Sequence, residues 1–407
     1  MKLKLSALLA FILIAASAYA GGPFAVDTVG DSGVAQQWQN KTLEWYSEDG
    51  GLSPSVDNTT AKRWVSEAIS RWTTELKLQD STRAFVSTTD VQATYMQSVN
   101  KDIDGTNYDP YISAAPGETV IIFDRDGAIT RDIAGESNYK YIPGLSEILL
   151  SDSSGTQILK GVVILNGVLL TEGTLTEDEF KSAIQHELGH LFNMDHTQVN
   201  LDIANACTLS SDPADCPDAQ YIPTMFPELK TYRQAQPKVD DKITLSWIYP
   251  NSTFQNSFCT IKGEIEDKDG RPLQGVNVIA RRVGDGDTLT KEDTRSMVSG
   301  VLYPACAGDG HYYLYGIVPG KTYEVIYEPL SSEYTGMSGF EPLDNPPTGF
   351  EPATISASDG ATTVKCTTGG ETIEMDAVKV QVENPCQPTD GAGSDTTTKS
   401  GGCSLIP

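Results

Sequence analysis

The stretch that decides the fold reads His186-Glu187-Leu188-Gly189-His190-Leu191-Phe192-Asn193-Met194-Asp195-His196. The chain has four histidines, and three of them stand within these eleven residues. Residues four apart on an α-helix advance about 400° and rise about 6 Å, so His186 and His190 share a face and can share one divalent ion. A satisfied core histidine accounts for one such residue, not for three at ligand spacing, and the cluster predicts a metal site. A straight helix would carry His196 away from that ion, so the chain must reverse after His190. Asn193 can provide the reversal, because Asn is the non-glycine residue that best tolerates the left-handed conformation of a helix C-cap.

Immediately upstream, Thr176 and Glu179 form a capping box, and Leu175 and Phe180 occupy the positions of a hydrophobic staple. Phe180, Ile184, Leu188 and Leu191 supply the buried stripe of the helix. Three imidazoles without a fourth protein ligand leave an open position, the design of a catalytic zinc site rather than a structural one. Glu187, next to the first ligand, is placed to act as general base toward a zinc-activated water.

These residues resemble the metzincin zinc-protease motif, with Asn193 where that family usually has Gly. Further on, Ile222-Pro223-Thr224-Met225-Phe226-Pro227 resembles the Met-turn, which implies that Met225 lies beneath the zinc ligands. Val239-Asp240-Asp241 followed by Leu245, Ile248, Tyr249 and Pro250 is similar to the closing helix of the matrixin branch. Leu43-Glu44-Trp45-Tyr46, the Gly50-Gly51 turn and the helical spacing from Trp64 to Trp72 resemble the matrixin opening strand and first helix. Together these cover nearly all of residues 40–250. The resemblance implies an α+β metzincin-type domain, a mixed twisted sheet with an active-site helix, that hydrolyses peptide bonds of protein or peptide substrates with Zn2+. The competing reading is a non-catalytic metal-binding surface or adhesion protein that retains the fold, and an intact Glu187 weighs against it. No cysteine lies between Ala20 and the first strand, so latency through a cysteine on the metal is not available.

Outward from this core, residues 1–20 read as a signal peptide, with a basic flank at Lys2 and Lys4, an apolar run from Leu5 to Ala16, and small residues at Ala18 and Ala20. Secretion to an extracellular or cell-surface location follows from that reading. All seven cysteines lie beyond it, in a chain bound for an oxidising compartment. Cys207 and Cys216 flank a short polar loop and are expected to pair. The formal net charge of −26 argues against nucleic-acid partners, since phosphate contacts depend on clustered Lys and Arg. Two readings stand for Asp102-x-Asp104-Gly105-x-Asn107-x-Asp109 and for Asp124-x-Asp126-Gly127: structural Ca2+ sites, or polar turns.

Composition divides the mature chain at about Pro250. Amphipathic helix signals at Ala61, Trp64, Val65, Ala68, Ile69 and Trp72, behind the start signals Asn58 and Thr59, and strand-like runs at Thr119–Phe123 and Gly161–Leu170 belong to the first unit, residues 21–250. That unit is expected to fold alone and to cleave small peptides by itself. Residues 255–382 carry short β-rich segments between Gly, Pro and Asp turns and resemble the carboxypeptidase regulatory-like, transthyretin-like β-sandwich, which implies no chemistry of its own. His311 lies there on a strand surface. Cys259, Cys306, Cys366 and Cys386 allow three pairings. Residues 383–407 read as a flexible tail whose end, Gly401-Gly402-Cys403, is similar to the start of bacterial surface-sorting tails, so that attachment through Cys403 and an unpaired cysteine are the two readings.

Overall fold

The computed structural model describes residues 21–26, 33–207, 216–284, 289–302, 309–334, 346–357 and 359–385. The signal-peptide segment, Cys306, Cys386, Cys403 and the tail from residue 386 lie outside the described residues. Among the described residues no helix is long and apolar enough to cross a membrane.

The first half is a mixed sheet with helical segments packed on both faces. Strand β1 (Thr42–Ser47) pairs in parallel with β2 (Gln92–Ser98) on one side and with β3 (Thr119–Asp124) on the other. β3 runs parallel to β5 (Gln157–Asn166), and β4 (Gly144–Ser151) closes the far edge antiparallel to β5. The order is therefore β2-β1-β3-β5-β4, with the two-residue strand Gln37–Trp38 also paired to β5. β3 is buried at every position, as a central parallel strand covered on both faces must be. Its odd and even residues serve different cores. Ile121 and Phe123 pack with the helices, and Val120 and Ile122 pack on the opposite face with Val162, Ile164, Leu145 and Ile129.

Helix α1 (Asn58–Trp72) buries the six apolar residues that its spacing picks out. Its cap is Asp57, one residue before the start signals at Asn58 and Thr59, with a carboxylate that accepts from Thr60 N at 2.8 Å. Helix α2 (Glu177–Leu191) has the expected capping box, and both Leu175 and Phe180 are buried. Trp72 Nε1 donates to Gln185 O at 2.8 Å and Trp38 Nε1 to Leu191 O at 2.7 Å, so indoles from two other elements fix the helix along its length. The strand-like run Gly161–Leu170 is corrected at both ends: β5 starts at Gln157 and stops at Asn166, and Val168–Thr171 is a helical turn. At the C-terminal end Asn166 Nδ2 donates to Tyr139 O and Ile142 O, distant in the chain, and draws the strand end into a loop. β4 does not alternate apolar and polar residues, and the sequence patterning passes over it.

Downstream, Cys207 and Cys216 form a disulfide. Helix α3 (Val239–Ile248) follows, then a short helix, Ser252–Ser257, which lies past the Pro250 boundary read from composition. The second half contains β6 (Cys259–Glu266), β7 (Val276–Val283), β8 (Leu289–Val298), β9 (His311–Ile317) and β10 (Tyr323–Pro329). β7 is the antiparallel neighbour of both β8 and β10, while β6 pairs antiparallel with β9 in a second sheet. Both sheets feed one core that includes Ile261, Ile265, Val278, Val298, Leu314 and Val325. Of the three cysteine pairings, the structure has Cys259 bonded to Cys366.

The two halves share a surface, which bears on the expectation that residues 21–250 form a self-sufficient unit. Trp247 of α3 stacks on Tyr315 of β9 with centroids 5.1 Å apart and planes 15° apart. Gln198 and Ser331 exchange two hydrogen bonds, of 3.1 and 2.8 Å, and Ser296 N donates to Asp240 at 2.7 Å. A composition break marks a change of element type and carries no information about which faces meet.

Candidate metal centre

α2 ends in a reversal built by Asn193, which has φ +68°. Asn193 N donates to His190 O at 2.8 Å and Met194 N to Gly189 O at 3.0 Å, the bonds that satisfy the last carbonyls of the helix. Beyond this turn the backbone brings His196 back over the helix. His190 Nε2 lies 2.9 Å from His186 Nε2, which lies 3.2 Å from His196 Nε2, and all three residues are buried. Zinc–nitrogen bonds at tetrahedral angles set nitrogen pairs about 3.3 Å apart, close to this spacing.

The hydrogen bonds behind the rings test whether the group fits a metal. His186 Nδ1 bonds Thr224 O and His190 Nδ1 bonds Met194 O, both at 2.8 Å. A carbonyl oxygen only accepts, so each Nδ1 carries the proton and each Nε2 presents a lone pair. Burial depresses the pKa of His186 to about 4, against the raising effect of its carbonyl bond. Burial, reinforced by the neighbouring imidazoles, holds His190 and His196 well below the usual histidine range. The rings are therefore neutral, and lone pairs that face each other at 2.9 Å repel unless a cation stands between them. The residues fit a divalent metal ion, and the triad is one that could bind it.

Support comes from below. Met225 Sδ lies where any side chain at 189 would run into it, so Gly189 is required by close approach. Asp241 at the start of α3 clamps the Met225 turn, accepting from Thr224 N at 2.9 Å, Met225 N at 3.0 Å and Lys238 N at 2.6 Å. Thr197 N, just after the third histidine, donates to Met225 O at 2.9 Å. Glu187 is buried on the same helix, its side chain packed against Gly144 of β4, where a Cβ would overlap it. A cavity of about 220 Å³ lies between Pro223, Lys238, Lys242 and Lys291, and its walls include none of the three histidines.

Sequence reasoning missed three contributors. The segment Gly21–Val26 is bound to the reversal: Phe24 N donates to Asn193 O at 2.9 Å and Asp195 N to Gly22 O at 3.0 Å, and the Phe24 ring stands 5.8 Å from that of His190. Asn193 does more than tolerate its φ. Its amide donates to Ala25 O at 2.8 Å and Gln36 O at 2.7 Å and accepts from Ala25 N at 2.6 Å, so the residue fixes the N-terminal segment. The third omission, the Asp241 clamp, was visible only as part of a resemblance.

His311 stands apart on β9, bonded through Nδ1 to Asp309 at 2.7 Å. Among the described residues the other cluster with metal-ligand spacing is Cys259, Cys366 and Glu371, and its two sulfurs form the disulfide. The acidic loops carry turn hydrogen bonds. Asp104 accepts from Thr106 N at 2.8 Å and Thr106 Oγ1 at 2.6 Å, Asn107 donates to Asp102 O at 3.1 Å, and Asp124 accepts from Thr130 N and Oγ1, both at 2.7 Å. Among the described residues no three of these carboxylates converge as ligands.

No family model and no curated protein matches the chain. Among solved structures it is similar to the dioxygenase domain of a dioxygenase carbohydrate-binding protein fusion from the cellulolytic bacterium Streptomyces sp. SirexAA-E, at 15% identity over 33% of this chain and 85% of that one, with a TM-score of 0.19. It is also similar to (S)-allantoin synthase, at 13% identity over 52% of this chain and 86% of that one, with a TM-score of 0.17. At such TM-scores neither likeness carries an argument about fold or chemistry.

Proposed function

We propose that the chain is a secreted or surface-attached zinc-dependent endopeptidase of the metzincin clan, closest to the matrixins, followed by a transthyretin-like β-sandwich. The observation that carries the reading is the convergence of His186, His190 and His196 at their Nε2 atoms on a helix that also holds Glu187 at HExxH spacing. Zinc held there would supply Lewis acidity, acidifying a water molecule and polarising a scissile carbonyl. Glu187 takes the proton from the attacking water and returns it to the leaving amine. Thr224 O and Met194 O hold two rings in the tautomer that ligates, and Met225 sets the floor beneath Gly189. A mixed sheet with the histidine-bearing helix packed on it is the architecture that the resemblance implies, and it favours the same reading.

The complete burial of all three histidines and Glu187 favours a second reading, a metal-binding surface protein without turnover. An unstructured protein substrate separates the two when it is incubated with the zinc-loaded full chain, with the chelator-stripped chain, and with zinc restored. Cleavage that disappears on stripping and returns with zinc supports the peptidase. Stoichiometric zinc with no cleavage in any state supports the second reading.

A further inference from the structure

Asp240 and Asp241, neighbours at the start of α3, are both buried and have different partners. Asp241 turns into the first half and clamps Thr224 and Met225. Asp240 accepts from Ser296 N of the second half at 2.7 Å and also bonds the Thr197 side chain. Ser296 belongs to the buried end of β8, residues 293–298, laid against α3 and the segment after His196. Its hydroxyl lies 3.2 Å from Thr197 Oγ1, and Thr197 is the residue after the third histidine, with its own N–H on Met225 O. One residue of the β-rich half thus reaches both the helix that clamps the Met225 turn and the backbone that carries His196.

The charges explain why this contact matters. Adjacent buried carboxylates repel, and an unpaired one is costly in a low-dielectric interior. Thr197 and the β-rich half share the offset: the Thr197 hydroxyl, the Ser296 N–H, and the buried guanidinium of Arg295, which is paired with Asp293, bonded to Gly316 O and stacked 4.7 Å over Tyr323. Without Ser296 N and Arg295 the buried Asp240 carboxylate would keep Thr197 alone as its offset, and Asp241 shares its helical turn. From Asp241 the path to a ligand is short, because Thr224 gives its N–H to Asp241 and its carbonyl to His186 Nδ1.

We infer that Ser296 and Asp240 are positioning residues for the metal centre, through which the β-rich half holds the Met225 turn and the backbones of His186 and His196 in place. The inference rests on the metal-binding reading above and assigns the second half a part in that site.

The test uses the full mature chain, its equilibrium zinc affinity against a chelator, and the visible spectrum of the cobalt(II)-substituted protein. Asp240→Ala should lower zinc affinity about 10–100-fold, the usual effect of losing an outer support, and should change the cobalt bands. Asp240→Asn keeps an oxygen for Ser296 N and should restore both. Tyr315→Ala removes the stack on Trp247 at the other end of the same interface, and should lower the melting temperature while leaving affinity and spectrum as in wild type. Equal zinc affinity in Asp240→Ala and wild type would overturn the inference, and so would equal losses in Asp240→Ala and Tyr315→Ala. Should Asp240→Ala not fold, Ser296→Ala removes only the hydroxyl facing Thr197, and an unchanged cobalt spectrum in that variant would overturn it. Failure of the wild type to bind either metal would refute the metal reading itself, a result distinct from the others.

Discussion

Asn193 holds two properties that substitutions can separate, its positive φ and its amide. Asn193→Gly keeps the φ and removes three buried hydrogen bonds to Ala25 and Gln36, so it should cost about 2–4 kcal/mol in denaturant unfolding and expose Gly21–Val26 to proteolysis. Asn193→Ala should be worse by about 1 kcal/mol, because a Cβ is then held in the left-handed region without local compensation. A glycine variant as stable as wild type would contradict the assignment. Glu147 on β4 tests a different balance. Burial alone pushes its pKa up to about 7 from the usual carboxylate value. The folded chain then binds the proton more tightly than the unfolded one, so this contribution is whole below about pH 4.5 and is lost as pH rises through 7. Glu147→Gln should therefore gain stability over wild type by about 1–3 kcal/mol at pH 8 and little at pH 4.5, in unfolding curves at both values. The left-handed turn at Asn193 was legible from the residue type. Its amide bonds were not, because Ala25 and Gln36 are more than 150 residues away in the chain.

Helix α2 concentrates what is local: a capping box, a staple, a buried stripe and two of the histidines, all at fixed spacing. These features were readable because each depends on neighbours within one or two turns. Thr176→Ala should cost about 1 kcal/mol of stability and leave zinc affinity unchanged, since the cap lies at the far end of the helix. Gly189→Ala places a methyl against Met225 Sδ and should lower zinc affinity together with stability, by about 1–3 kcal/mol for the latter. Titration of zinc into both variants, beside their unfolding curves, separates the end of the helix from its middle. Wild-type zinc affinity in Gly189→Ala would mean that Met225 supports nothing. The edge strand β4 was not legible. Its partner β5 fixes it by hydrogen bonding, while its own residues Gly-Leu-Ser-Glu-Ile-Leu-Leu-Ser carry no alternation to read.

At the scale of the whole molecule, the composition break near Pro250 located the change from mixed to β-rich structure but not the face that joins them. Trp247 contributes to the core of each half, and Asp240 has a donor on the far side. A chain shortened to residues 21–258 is therefore expected to melt at lower temperature and to bind zinc more weakly than the full chain, contrary to the independence that composition suggests. Equal affinity and equal melting temperature would restore the two-unit description. The peptidase assignment itself is tested most directly by zinc content and hydrolysis of an unstructured protein, measured side by side for wild type and Glu187→Ala. The account predicts stoichiometric zinc in both and a loss of about 10²–10⁴-fold in turnover for the variant. Equal hydrolysis by two equally zinc-loaded proteins would contradict it.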